Sequence, residues 1–498
     1  MYYVARLTFL LLLATAVALR AAEPAVWGFE QVRALAAARA AAPYKYDVPP
    51  LPPSLAKLSY DDLRCIEFNA NRAIGRAENL PFRLMMYHLG GPLQREGVSL
   101  HLVEERHAVP LLFDPQMFHY HQVPVKLAEL TNTLDFAGFR VLNQLNQPGK
   151  FDELISFLGA SYFRALGKRQ FYGTSARGLA INSCCEEQEE FPRFVAFWIE
   201  RPQTNATCIS FDALLDSYSV SGAYHFTVTP GADTTVDVRC VLFARRPLLR
   251  YGLGTLTSMF WFGENTDNRP ADFRPEVHDT DGVLLARGDD TWVWRPLRNT
   301  PCLQEERLFA RHPKGFGLLQ RDRRYTSYED IEANYHKRPS VWVEPIGDWG
   351  FGYVMLAELT TANEYGDNIV AYWQPGAELK PDAPLEAAWR LHWYLDNHAW
   401  PPLARTVNTF ISGRRVVLDF VGGELSFDPA DEPVPDIKLQ QGVLRGLHVQ
   451  YNPEIRGWRV GFEVQNTMAG RVETLQVTLR DRTGRAVSET WTYPLVTH

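Results

Sequence analysis

Between Phe226 and Leu242 the chain alternates apolar and polar residues with a period of two, interrupted by a single turn cluster. Phe226 and Val228 precede Pro230-Gly231-Ala232-Asp233, and Val236, Val238, Cys240 and Leu242 follow it. A period of two sends every second side chain to one face of an extended chain, so this stretch reads as a β-hairpin. Shorter strand-like runs recur at 291–294, 340–343, 353–356, 369–373 and 388–395. After Asp396-Asn397-His398-Ala399-Trp400-Pro401-Pro402 the alternation is almost continuous, at 416–420, 447–451, 458–464, 475–479 and 489–493. Asn452-Pro453 and Thr483-Gly484 supply turns between these runs. Short strands so spaced read as a small immunoglobulin-like sandwich without its disulfide, following a larger β-rich domain. The fold class is therefore mainly β. Helix is expected at 29–41, where Phe29, Val32, Leu35 and Ala36 keep helical spacing in an Ala-rich stretch, and at 151–166 (FDELISFLGASYFRAL). The run Pro49-Pro50-Leu51-Pro52-Pro53 reads as an extended connector after the first.

The first residues have another use. Arg6 precedes an apolar run, LTFLLLLATAVAL (7–19), and small residues follow at 16–18 and 21–22. This is the pattern of a secretory signal peptide, too short for a comfortable membrane span, and no later stretch is long and apolar enough to insert stably. The expected organisation is a signal peptide (1–22), a β-rich domain (23–396), a linker (397–403) and the sandwich (404–498). The six cysteines, at 65, 184, 185, 208, 240 and 302, are too sparse for a disulfide framework, though one or two bridges are compatible with export. Neither their pairing nor an oligomeric state follows from the sequence. Charge is mildly acidic, −7 overall, and the densest basic run is Arg321-Asp322-Arg323-Arg324. That leaves no electrostatic footprint for nucleic acid. Aromatic residues reach 12%, which suits β cores and sugar-stacking clefts alike.

Familiar catalytic signatures are missing. There is no phosphate-binding GxxxxGK[ST], and Gly252-Leu253-Gly254 lacks the third glycine of a dinucleotide loop. Gly173-Thr174-Ser175-Ala176-Arg177-Gly178 is one residue too long for a nucleophile elbow. His119-Tyr120-His121 offers two imidazoles but no third ligand by spacing. His278-Asp279-Thr280-Asp281-Gly282 opens like a calcium loop, but its glycine comes too early and Asp290 stands where a Glu is required. No metal or cofactor is expected. What remains is carboxylates among aromatics, the raw material of glycoside hydrolysis, which needs one protonated and one ionised carboxyl group. Asp279 and Asp281 sit in a charge-rich turn, where a carboxylate stays ionised and can act as a base. Asp367 opens the apolar run Ile369-Val370-Ala371-Tyr372-Trp373, where desolvation raises a carboxyl and favours an acid. Asp281-Gly282 is equally a plain hairpin turn, and Asp367-Asn368 ordinary strand punctuation.

A set of longer segments is more specific. LGASYFRALG (158–167), YGTSARGLAI (172–181), EEFPRFVAFWIERP (189–202), LTSMFWFGEN (256–265), FRPEVHDTDGV (273–283), WVWRPL (292–297), KGFGLLQRD (314–322), RPSVWVEP (338–345) and DNIVAYW (367–373) together resemble the periplasmic glucans biosynthesis protein G/D family. YNPEIRGWRV (451–460) and SETWTYPL (488–495) carry the resemblance more weakly into the sandwich. The signal peptide leans towards the G-type branch. The resemblance implies a periplasmic protein with a galactose-mutarotase-like β-supersandwich followed by an immunoglobulin-like domain. It implies action on β-1,2-linked glucan as an anomer-inverting endo-glucanase. Asp367 would then be the general acid and Asp279 the general base, acting through a relay. Tyr335 and Arg338 would be substrate-binding or relay groups, and Trp294, Arg295 and Arg177 are weaker cleft candidates. Trp294 alternates with Trp292, so either that pair or Val293 faces the cleft. The rivals to a hydrolase are a non-catalytic glucan-binding factor working beside a membrane glucan synthase, and a branching transglycosylase.

Overall fold

The structure is a computed structural model, and it describes residues 27–185, 187–396, 399–428, 430–465 and 472–496. The expected signal peptide and residues 397–398 of the expected linker lie outside these. Strands dominate. The hairpin expected at 226–242 is present as Val220–Thr229 and Thr234–Ala244, paired antiparallel from Val220↔Ala244 to Thr229↔Thr235. Val236, Val238, Cys240 and Leu242 all point inward and are buried.

Two large sheets carry the body of the molecule. One has ten strands and runs from Phe82–Tyr87 through Gly138–Gln147, Lys150–Leu158, Tyr162–Ala165, Ser175–Arg177, Tyr251–Ser258, Ile369–Pro375 and Phe351–Glu358 to Gln304–Arg311. Ala180–Ile181 pairs onto Tyr251–Ser258 as its tenth member. The other has fourteen strands, with the hairpin above near its middle. Phenylalanines fill the space between them. Phe139, Phe157 and Phe163 of the first sheet meet Phe197 and Phe226 of the second edge to face, with ring centroids 4.9–5.5 Å apart. Such pairs add attraction beyond the area they bury. Further along, the sheets close so tightly at Gly254 that a Cβ there would lie 2.7 Å from Val343 Cγ1. Its φ of +57° is also one that glycine adopts most cheaply.

The first expected helix forms, Phe29–Ala40, and buries Val32 and Ala36 against Trp198, Leu214 and Ala223 of the fourteen-stranded sheet. The second does not. Residues 151–166 fall in the strands Lys150–Leu158 and Tyr162–Ala165, which pair Ile155↔Ala165 across a turn at Gly159 (φ +77°) and Ala160 (φ +40°). The cause is a register shift opposite Val141 and Leu142, where Ile155 and then Glu153 find partners. It turns both Leu154 and Ile155 inward and leaves Leu154 three residues from buried Phe157. A bulged strand thus imitates helical spacing.

The C-terminal strands form two layers. Arg405–Ser412, Arg415–Val421, Gly457–Gln465 and Val443–Asn452 make one sheet, and Val434–Lys438, Val472–Arg480 and Thr490–Val496 make the other. The second layer is hydrogen-bonded into the fourteen-stranded sheet, because Thr490–Val496 pairs in parallel with Trp292–Pro296 at Val293↔Thr490 and Trp294↔Trp491. Leu284, Trp294 and Trp342 of the body share one apolar core with Phe420, Trp458 and Trp491. Arg321 crosses the same junction to Glu489 at 2.6 Å, with both side chains buried. Among the described residues no helix is long and apolar enough to cross a membrane.

Candidate functional site

Asp367 stands at the entrance of the strand Ile369–Pro375, and its neighbour Asn368 fixes it there. Asn368 Oδ1 accepts from Phe260 N at 2.9 Å, and its Nδ2 donates to Phe260 O at 3.0 Å and Leu359 O at 2.9 Å. The Asp367 side chain projects into a groove of about 740 Å³, which it lines with Tyr87, Glu153, Tyr162, Arg164 and Tyr172. It remains 35% exposed, with Arg164 Nη2 3.6 Å away. The desolvation expected for it from the apolar run Ile369–Trp373 is therefore not realised, since those residues bury behind it while the carboxylate faces out.

Burial falls instead on Asp279, expected in an open polar turn. Its N–H donates to Met259 O at 2.8 Å, and the residue is only 4% exposed. Burial pushes its carboxyl up, Arg338, which donates to Oδ1, pulls it down, and the charge of Asp367 adds to the rise. The two aspartates are thus close enough to feel each other, one open to the groove and one behind an arginine. Asp281 faces away from both. Its Oδ2 accepts from the backbone N–H groups of Arg321 and Asp322, and it lines a separate small cavity.

Tyr335 and Arg338 join the site from behind. Arg338 lies 4.3 Å over the Tyr335 ring, and its Nε donates to Ala333 O at 3.2 Å. Tyr335 is 1% exposed, so it offers no face to a sugar, and its hydroxyl donates to Glu364. Burial and that hydrogen bond both hold the phenol in its protonated form. Glu364 also takes Arg274 at 2.6 Å, and Arg274 holds Asp330 at 2.9 Å and Asp272 at 2.8 Å. The chain Asp279–Arg338–Tyr335–Glu364–Arg274 therefore ties together three segments, of which the one carrying Glu364 leads to Asp367 in the groove.

Arg177 is buried beside the groove rather than in it. It pairs with Glu189 at 2.9 Å and stacks 4.6 Å over Tyr162, stiffening a wall residue. Trp294 is elsewhere, 3% exposed under the C-terminal strands with Arg321 3.5 Å over its ring. Of the alternation at 292–294, Val293 joins the main core and the Trp pair faces the sandwich. Arg295 is fully buried and forked onto Glu358 at 2.8–3.0 Å, which ties the fourteen-stranded sheet to the ten-stranded one. Sequence reasoning passed over Arg164, Glu364 and Arg274. The alternation Tyr162, Arg164 within LGASYFRALG carries a signal for the first; nothing local marks Glu364. Among the described residues, the grouping with metal-ligand spacing lies outside this groove, at Glu276, His278 and Asp281.

The chain as a whole has recognisable relatives. Residues 27–495 match the family model described as "Periplasmic glucan biosynthesis protein, MdoG". A protein of Ralstonia nicotianae named glucans biosynthesis protein G is 40% identical over 496 residues, covering 96% of this chain and 98% of that protein. Proteins of the same name from Shewanella baltica and Vibrio cholerae are each 42% identical over 462 residues, covering 91% of this chain and 84% and 83% of theirs.

Proposed function

Because the chain belongs to the MdoG family of periplasmic glucan biosynthesis proteins, we propose that it acts in the periplasm on β-1,2-linked glucan, as an anomer-inverting endo-glucanase that trims the polymer. The observation that carries this reading is the asymmetry of the two aspartates: Asp367 lines an open, tyrosine-walled groove, and Asp279 is buried behind Arg338.

A general acid must touch the leaving oxygen, and Asp367 is the aspartate a chain in the groove can reach. Free, it faces water and Arg164; a glucan lying over it displaces that water and brings a glycosidic oxygen against the carboxyl group. Tyr87, Tyr162 and Tyr172 offer rings and hydroxyls along the sugar path. Inversion requires a water on the opposite face of the sugar, with room between it and the base. Asp279 is set back, so it acts as base through an intervening relay, and Arg338 opposes the rise that burial imposes on its carboxyl. Tyr335 is a positioning residue that seats Arg338 and ties Glu364. The finer reading is tested by incubating the mature protein and its Asp367→Asn variant with linear β-1,2-glucan and counting reducing ends. The variant should lose about 10²–10⁴-fold in rate while still binding glucan. Near wild-type turnover would remove Asp367 from the role. A second reading, a glucan-binding assembly factor beside a membrane synthase, is favoured by the relatives being named for biosynthesis rather than breakdown. It predicts binding with no new reducing ends in the wild type.

A further inference from the structure

Between the body and the C-terminal layers lies a small cavity of about 30 Å³. A single water-sized occupant needs roughly 10–15 Å³ measured this way, so one ion fits. Four carboxylates line it, Glu264, Glu276, Asp281 and Asp322, together with Thr406 from the strand Arg405–Ser412. The ligand atoms of Glu276, His278 and Asp281 all lie within 4.8 Å of one another. Positive charge here is short. Arg321 is already engaged by Glu489 at 2.6 Å, and Arg324 reaches Asp322 only at 3.8 Å. His278 donates through Nε2 to Glu276 and through Nδ1 to Gln320, both at 2.9 Å. Gln320 presents its oxygen there because its Nε2 donates to His278 O and Tyr335 O. With both nitrogens donating, the imidazole is a counter-charge and not a ligand.

Thr406 supplies an independent sign. It is 1% exposed, lines the cavity, and its Oγ1 has no hydrogen-bond partner. A buried hydroxyl left unpaired is costly, and this one belongs to a residue that lines the same cavity as four acids. We propose that this cavity binds one Ca²⁺ through oxygens of Glu264, Glu276, Asp281, Asp322 and Thr406, fastening the C-terminal sandwich to the body. An all-oxygen set selects a hard cation, and so small a space leaves little room for the waters Mg²⁺ retains. The ligands come from separate segments, which is why no calcium-loop spacing carries them in sequence.

The test uses full-length mature protein stripped with chelator. It is titrated with CaCl₂ and with MgCl₂ by calorimetry, and its melting temperature is followed with and without each ion. Expected are about one Ca²⁺ per chain, weaker Mg²⁺ binding, and a melting temperature higher by a few degrees in Ca²⁺. Thr406→Val should weaken Ca²⁺ roughly tenfold or more while melting no lower than wild type without metal, since it removes an unpaired hydroxyl at constant shape. Glu264→Gln should weaken Ca²⁺ likewise, and Asp367→Asn should bind it normally. No heat and no melting shift at millimolar Ca²⁺ would overturn the site, as would unchanged affinity in both Thr406→Val and Glu264→Gln.

Discussion

A single histidine shows how burial converts into pH dependence. His88 donates through Nδ1 to Leu89 O at 2.5 Å and accepts the Tyr120 hydroxyl at Nε2 at 3.1 Å, an arrangement that requires the neutral ring. Packed among Phe113, Phe118 and Tyr120, it is pushed by burial down to about 4. In the unfolded chain it takes up a proton near pH 6.5. Between pH 6.5 and 4 the unfolded state binds the extra proton, so stability falls as the pH falls, by about 3 kcal/mol across that window. Urea midpoints at pH 7, 5.5 and 4 check this: His88→Gln should lose less stability on acidification than wild type, and equal losses would clear His88. The aspartates show the limit of reading environments from neighbours in sequence. DNIVAYW and HDTD mark the positions of Asp367 and Asp279, but their exposures are the reverse of what the flanking residues suggest. Burial at each is decided by what folds over it, Arg338 and the 330s segment for one, open groove for the other.

At the scale of elements, the candidate site depends on loops that have no periodicity of their own. Glu364 draws the segment before Asp367 towards Tyr335 and towards Arg274, whose other partners are Asp272 and Asp330. Glu364→Gln keeps the shape but removes the charge Arg274 answers. We expect kcat on β-1,2-glucan to fall by up to about 10²-fold through misplacement of Asp367, with glucan binding and melting temperature little changed. A role confined to structure would instead lower the melting temperature and leave kcat alone. Strands with clean alternation were legible: the hairpin Val220–Thr229 and Thr234–Ala244, and each run predicted after residue 400, are present. The strand Lys150–Leu158 was not, because its bulge erases the period by which strands are recognised. Nor was the cavity at Thr406, whose lining residues are distant in sequence and share no pattern.

For the whole molecule, the question is whether the C-terminal layers are an appendage or part of the body. The shared core of Trp294, Trp342, Trp458 and Trp491, the Arg321–Glu489 pair and the strand pairing at Trp294↔Trp491 argue for one cooperative unit. Removing residues 404–498 would expose several large apolar side chains, each worth about 1.5–3 kcal/mol of burial. Calorimetry of the intact protein should therefore show a single transition, and the truncated chain should melt well below it or aggregate. Two separate transitions, or a truncated body as stable as the whole, would show that the layers fold alone.

The parallel pairing of Thr490–Val496 with Trp292–Pro296 also sets an order of events. An interior strand waits with one edge open for a partner supplied near the far end of the described chain. Contacts between such distant segments form late and slowly, and an open edge meanwhile invites the wrong neighbour. If the chain is exported unfolded, as the apolar run at 7–19 predicts, that delay is useful: the structure cannot lock until nearly all of it has arrived.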